Sequence, residues 1–363
     1  MSKNLKVAVM GGGNSAHTMA ADIALGGLEV NLCDLPAFQR NIQEAMDTRK
    51  IEKVGSVGTS GKTGIAELNK VTTDIADAIK NVDIVMLAIP AYGHLEFFQS
   101  ILGSLEEGQI VIVLPGNWGA IRLFNFFRNK GFKKRVFIGE TDRCMHICRA
   151  SESWLGPGKA RVILERPMVR ISAMPAKDTP TVFDLMKTIY PQLAPAHHVV
   201  DTSLNNFNFI IHGPLVLMNA GWIEHTAGQF MIYRDGATPA IGSIVDAIAD
   251  ERDAIFRKFR LTTSVREPFY NLIRNAQWCK DPCETGPPNL QHRYLTEDIP
   301  YGLVPLAYLG DVVDVPTPMS DGIIELASKV NRVDYWKDGL TLKKLGFDGL
   351  RPEEIVEFVI KGD

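Results

Sequence analysis

This sequence has no excess of positive charge, no long apolar run and little cysteine. Its 363 residues carry 39 Lys and Arg against 42 Asp and Glu, a net charge of −3. Without a basic field there is no electrostatic footprint for nucleic acid, which is not expected as a partner. No stretch reaches the roughly 18 uninterrupted apolar residues that a membrane helix needs. The most apolar segment, near 203–223, holds three asparagines close to its start, a histidine and a proline. Met1-Ser2-Lys3-Asn4 runs straight into an apolar segment that ends in glycine, which is too short for a signal peptide. A cytoplasmic protein without a membrane anchor is the expectation.

Five cysteines, an odd number without secretory context, argue for reduced thiols. Four form the Cys-x3-Cys pairs Cys144/Cys148 and Cys279/Cys283. With His146 or His292 they offer zinc-ligand types, but neither pair has the surroundings of a zinc knuckle. Small buried thiols near a pocket are the favoured reading, and no metal is expected.

What is present points to two domains, since one hydrophobic core rarely serves a chain of this length. Up to about residue 198, buried apolar runs alternate with helical patterns. The strand-like runs are Leu5 to Met10, Leu28 to Cys33, Asp83 to Ile89, Gln109 to Leu114 and Arg135 to Gly139. Helical patterns fall near 14–26, 74–80, 93–104 and 119–130, and 160–175 reads as a hairpin or an extension of the sheet. Such alternation predicts a mostly parallel, doubly wound sheet covered on both faces. Pro191, Pro195 and His197-His198 mark a linker. Beyond it the long patterns are all helical: 203–222, 240–260, 264–277, 301–313, 317–331 and 351–361. The expected organisation is therefore an α/β domain over 1–198 and an all-α domain over 199–363.

Gly11, Gly13 and Ala16 form G-x-G-x-x-A between the first strand and the first helix. The first glycine permits the tight turn, the second lets backbone approach a pyrophosphate, and the small third residue lets helix and strand pack. The helix N-terminus offers N–H groups and partial positive charge to phosphate. The second strand ends at Asp34, whose carboxylate can take both ribose hydroxyls and would repel a 2′-phosphate. A Rossmann dinucleotide site is predicted, with NAD favoured and NADP open. Its candidates are Gly11, Gly13, Asn14, Ser15, Ala16, Asp34 and Pro90. Gly61-Lys62-Thr63 resembles the end of a P-loop, but Ser56 stands where glycine is required, so 53–64 reads as a flexible surface loop.

In the second half, helix 203–222 is apolar almost all round, which makes it a buried helix. Asn205, Asn208 and His212 share one face by spacing, and buried polar groups need partners or a function. Pro214 is expected to kink this helix near His212. The segment Asn289 to Asp298 is rich in ionisable groups. Arg293 has the fork geometry for a carboxylate, and Glu297 or Asp298 could orient a histidine. Asn208 joins the substrate-binding candidates.

These segments, taken in order, resemble the opine dehydrogenase family of octopine/nopaline type. The similarity lies in Gly11-Gly12-Gly13-Asn14-Ser15-Ala16-His17, Ile138-Gly139-Glu140-Thr141, Thr202-Ser203-Leu204-Asn205-Asn206 running into His212, and Gly286-Pro287 with Asn289-Leu290. It continues through Arg293-Tyr294 with Glu297-Asp298, Gly302-Leu303-Val304-Pro305-Leu306, Val315-Pro316-Thr317-Pro318, Thr341-Leu342 and Lys344-Leu345-Gly346. The resemblance implies NAD(P)H-dependent reductive condensation of an amino acid with a 2-keto acid, often pyruvate. It implies His212 and Asp298 as the catalytic pair and Arg293 as carboxylate anchor. It further implies Glu140 and Thr141 in the substrate pocket and Asn117 near nicotinamide and substrate. Gly213, between His212 and Pro214, departs from the family pattern of a proline directly after the histidine. Partners are then small molecules, with a homodimer left open. Two other readings stand beside this one: a simple 2-keto acid, ketopantoate or glycerol-phosphate type reductase on the same fold, and a dinucleotide-sensing protein without catalysis.

Overall fold

The computed structural model describes residues 5–150, 155–263, 266–280 and 285–363. They divide into two compact units, one of residues 1–203 with 359–363 and one of 204–358.

The first unit contains the strands β1 (Lys6–Met10), β2 (Glu29–Cys33), β3 (Lys50–Gly55), β4 (Gly64–Glu67), β5 (Lys70–Thr72) and β6 (Ile84–Leu87). It continues with β7 (Ile110–Val113), β8 (Phe137–Thr141), β9 (His146–Ala150), β10 (Lys159–Glu165), β11 (Val169–Ala173) and β12 (Leu193–Pro195). The main sheet has eight strands in the order β12-β11-β8-β7-β6-β1-β2-β5. Its ladders are parallel except where β11 meets β8. The continuous apolar runs explain this: β6 and β7 are buried along their whole length, as strands covered on both faces must be. Each Val, Ile or Leu so buried contributes about 1.5–3 kcal/mol. Strand order reverses between β1 and β6, and in open α/β sheets ligands bind beyond the carboxyl ends of the strands at such a switch point.

A second sheet, in the order β4-β3-β10-β9, is the main difference from expectation. Segment 53–64 is not all loop: Lys53 to Gly55 close β3, and Gly64 opens β4. The reason is Lys53, which points inward and is fully buried. Its Nζ reaches Asp22, the Ser60 hydroxyl at 2.9 Å and the Val57 carbonyl at 2.5 Å. A lysine at an inward position hides the alternation that would betray a strand. Residues 160–175 are neither a hairpin nor one extension. β10 joins the second sheet and β11 the main one.

The second unit is helical. Its longer helices are Asn208–Leu217, Pro239–Lys258, Val304–Val312 and Pro318–Asn331. Helix Pro239–Lys258 starts with Pro239 in its first turn and Thr238 as N-cap, whose hydroxyl accepts the Ile241 N–H at 3.4 Å. The expected helix 264–277 is observed as Phe269–Asn275, with Ser264 and Val265 outside the described residues. The expected single helix 203–222 is three pieces, Val199–Leu204, Asn208–Leu217 and Ala220–Thr226. Asparagines interrupt it by capturing backbone groups: Asn206 Oδ1 accepts the Asn208 N–H at 3.2 Å, and Asn219 Nδ2 donates to the Leu215 carbonyl at 2.8 Å. Pro214 does not break the middle piece, which runs through it and ends one turn later. Among the described residues, no helix is long and apolar enough to cross a membrane.

Candidate active site

The glycine loop lies at the carboxyl end of β1. Gly11 has φ +113°, and its N–H donates to the Cys33 carbonyl at 2.7 Å. A side chain there would meet the Ala88 carbonyl oxygen at 2.8 Å, so both the turn and the closeness of β6 demand glycine. At Gly13, a Cβ would meet nothing within 4 Å. That face of the loop is open. Gly13 also caps helix Asn14–Leu25, whose first turn has no acidic residue and no capping side chain. Ala16 is fully buried where helix and sheet touch. Ser15 Oγ donates to Cys144 Sγ at 3.4 Å, and Asn14 Oδ1 accepts the Ala150 N–H at 2.9 Å, so the Asn14 side chain is tied to β9. Pro90 follows β6 and opens the short turn Ala91–Gly93.

Asp34 directly follows β2 and is buried beside the loop: a Cβ on Gly12 would lie 2.5 Å from its Oδ2. Oδ1 accepts the Leu35 N–H at 2.8 Å and Oδ2 faces Asn41 Nδ2 at 3.5 Å. Burial raises its pKa, against the opposing pull of these donors. Arg40 is exposed in the following turn Pro36–Ile42. An open glycine cradle, bare helix N–H groups and an adjacent acid are the donor and acceptor set that a dinucleotide needs.

Elsewhere in the first unit, Glu140 is fully buried, and its oxygens accept from the Ala120 N–H at 2.9 Å, Thr202 Oγ1 at 2.7 Å and Ser203 Oγ at 2.6 Å. Burial raises its pKa against these three donors. It holds the start of helix Gly119–Asn129 against residues 202–203 and positions them; it does not line an open pocket as expected. Thr141 is buried too, its hydroxyl donating to the Arg143 carbonyl at 2.9 Å. Asn117 and Trp118 both adopt positive φ, at 44° and 65°. Consecutive left-handed residues other than glycine store strain, which clusters at ligand-binding loops.

In the second unit, His212 and Asp298 meet. Asp298 Oδ2 lies 2.6 Å from His212 Nδ1, and both side chains are buried. Close helix packing achieves this. A Cβ on Gly302 would lie 2.2 Å from the Phe209 Cβ, and one on Gly213 would lie 2.9 Å from Ile323 Cγ2. These two glycines let segment 299–303 and helix Pro318–Asn331 close on helix Asn208–Leu217, bringing Asp298 to His212. The departure at Gly213 therefore has a packing reason. Asn208, half-buried, shares the helix with His212, while Asn205 lies in the preceding turn, so the expected three-residue stripe is reduced to two.

Two tyrosines complete the surroundings of His212. The Tyr233 hydroxyl lies 2.8 Å from Nε2, and the Tyr294 ring stacks on the imidazole at 3.8 Å. Tyr294 stood within the ionisable segment already singled out, whereas Tyr233 sits in an irregular turn with no sequence signal. Arg293 is half-exposed, and its Nε pairs with Glu297 at 3.2 Å. Glu297 is buried and turns to Arg293, so of the two acids it is Asp298 that meets the histidine.

His146 Nε2 lies 3.4 Å from Asp22, and His292 Nδ1 accepts the Tyr294 N–H. Burial pushes the Cys148 thiol up to about 11. Cys283 lies outside the described residues. Among the described residues, no group of three or more metal-ligand side chains is assembled.

The chain is similar to known proteins along nearly its whole length. Residues 195–331 match a family model described as the α-helical domain of NAD/NADP octopine/nopaline dehydrogenase. The opine dehydrogenase of Arthrobacter sp. (strain 1C) is 31% identical, covering 96% of this chain and 97% of that protein. An octopine dehydrogenase solved with NADH and pyruvate shares the fold, with TM-score 0.74 at 19% identity over 99% of this chain and 98% of that one. So does an NADP+-bound yersinopine dehydrogenase, with TM-score 0.73 at 15% identity over 99% of each chain. The chain belongs to the opine dehydrogenase family, and so to the NAD(P)-dependent dehydrogenases that act on CH–NH donors.

Proposed function

We propose that this protein condenses the amino group of an amino acid with a 2-keto acid such as pyruvate, with His212 as proton donor and acceptor. The observation that carries this role is the buried His212–Asp298 pair. A carboxylate on Nδ1 fixes the tautomer and stabilises imidazolium, leaving Nε2 as the proton-exchanging nitrogen. As the amine adds to the keto carbon, the carbonyl oxygen takes a proton, and a second proton lets that oxygen leave as water. Bound NAD(P)H supplies the hydride that reduces the resulting C=N bond. Arg293, steadied by Glu297, offers its guanidinium to a substrate carboxylate. Asn208, Thr141 and Asn117 remain substrate-binding candidates, and Glu140 acts through the backbone it holds. In this reading residues 1–198 hold the dinucleotide through Gly11, Gly13, Asn14, Ser15, Ala16, Asp34 and Pro90, and residues 199–363 carry the proton chemistry. Small soluble substrates accord with a cytoplasmic location, and sedimentation will decide between monomer and homodimer.

The test is NADH oxidation with keto acids crossed against amino acids. Fast turnover is expected only with both present. Equal turnover with a keto acid alone across a broad amine panel would establish the simple reductase instead.

A cofactor preference follows from Asp34. Its carboxylate, fixed by Leu35 and Asn41, would meet a 2′-phosphate as like charge. At about 1–3 kcal/mol for one such clash, kcat/KM should favour NADH by roughly 10- to 100-fold. Parity, or a preference for NADPH, would mean that exposed Arg40 or another cation captures the phosphate.

A further inference from the structure

Nε2 of His212, the nitrogen assigned above to proton exchange, already has a partner. The Tyr233 hydroxyl occupies it at 2.8 Å, while Asp298 holds Nδ1 at 2.6 Å. The two residues are only 5% and 6% exposed. Tyr294 covers one face of the imidazole, and Trp278 meets Tyr233 edge-on with ring centroids 5.3 Å apart. Tyr233 is also held from below. Its turn, Ile232–Gly236, is closed by the Asp235 N–H on the Met231 carbonyl at 2.7 Å and by the Met231 N–H on Asp235 Oδ2 at 3.0 Å. Asn219 Nδ2 donates to the Gly236 carbonyl at 3.1 Å. A side chain fixed on both sides is a poor candidate for swinging aside to admit a substrate oxygen to Nε2.

We propose that Tyr233 stands between His212 and the substrate oxygen and relays the proton between them. This rests on the assignment of His212 as the acid. A phenol oxygen accepts one hydrogen bond while donating another. In the imidazolium form, Nε2–H donates to the Tyr233 oxygen. When the amine nitrogen bonds to the keto carbon, the phenolic proton moves to the carbonyl oxygen, and the Nε2 proton moves to the phenol. Tyr233 begins and ends as a neutral phenol. His212 ends neutral, with Nδ1–H still on Asp298. Neither residue gains or loses electrons; the hydride remains the only redox step. In the reverse direction the same two protons travel back.

The test is a proton inventory of kcat in mixtures of light and heavy water, for the wild-type protein, Tyr233→Phe and His212→Gln. Two protons moving together give a bowed plot, and one gives a straight line. Wild type should be bowed. Tyr233→Phe, which keeps the ring against Trp278, should straighten the plot and lower kcat by about 10- to 100-fold, with NADH Kd unchanged and Tm lowered by only a few degrees for the lost buried hydrogen bond. The relay is overturned if Tyr233→Phe stays within about twofold of wild type, or if kcat falls while the plot remains bowed. If His212→Gln also retains kcat, the assignment of His212 itself fails. If only His212→Gln loses activity, His212 stands and the relay alone is lost.

Discussion

His212→Gln should lose about 10²–10⁴ in kcat while binding NADH almost as well as wild type. The glutamine fills the site but cannot exchange a proton with substrate, and the glycine loop lies in the other unit of the chain. Asp298→Asn should also cost heavily, because an amide on Nδ1 can select the wrong tautomer and no longer offsets imidazolium charge. Two residues acting as one pair are not additive, so the double variant should be little worse than the worse single one. Glu297→Gln separates the neighbours. Its buried carboxylate steadies Arg293, so this variant should raise the KM for the carboxylate substrate more than it lowers kcat. Steady-state kinetics with fluorescence titration of NADH decides. A His212 variant with near-normal kcat, or a coupling of His212 to Glu297 in place of Asp298, would refute the pairing.

The second large effect concerns folding. Asp22, on helix Asn14–Leu25, receives Lys53 Nζ, the Ser60 hydroxyl at 2.6 Å and the Thr59 and Ser60 N–H groups at 3.1 and 3.2 Å. Both charged side chains are essentially inaccessible. Asp22→Asn leaves the Lys53 ammonium buried without its counter-ion and should destabilise by about 3–5 kcal/mol. At roughly 2–4 °C per kcal/mol for a domain of this size, Tm should fall by about 6–20 °C. Replacing the pair together, Asp22→Leu with Lys53→Met, should cost less than Asp22→Asn because no lone charge remains, the residual loss coming from the Thr59 and Ser60 donors left without Asp22. Burial alone would raise the Asp22 pKa, but the neighbouring His146 and the bonds from Lys53 and Ser60 outweigh it and hold the carboxyl well below its ordinary value. A lowered folded pKa means the contribution is fully present above the ordinary carboxylate pKa of about 4 and disappears as pH falls through the folded value. Wild type should therefore lose more Tm than the Leu/Met double variant between about pH 5 and pH 3. Equal Tm for wild type and Asp22→Asn would show that the network contributes nothing.

The sequence by itself determined the main sheet. Runs such as Ile84 to Leu87 and Ile110 to Val113 have no polar residue to place outward, so only a strand covered on both faces suits them. Gly11 and Gly13 between a strand and a helix marked a candidate dinucleotide loop for a reason equally local: backbone conformation and the absence of Cβ are properties of single residues. His212 and Asp298 were legible as candidates through a resemblance spread over nearly the whole chain, yet no local rule chose Asp298 over Glu297 one position away. Tertiary structure made that choice. Gly302 and Gly213 admit neighbouring segments close to helix Asn208–Leu217, and the approach carries Asp298 onto Nδ1 while Glu297 turns to Arg293. Lys53 and the second sheet were hidden for a related reason. Charge reads as surface until a partner such as Asp22, 31 residues away, is brought to it. Tyr233 had no sequence signal because its role lies entirely in the 2.8 Å to a histidine 21 residues earlier, a distance that only the folding of the irregular turn 232–236 creates.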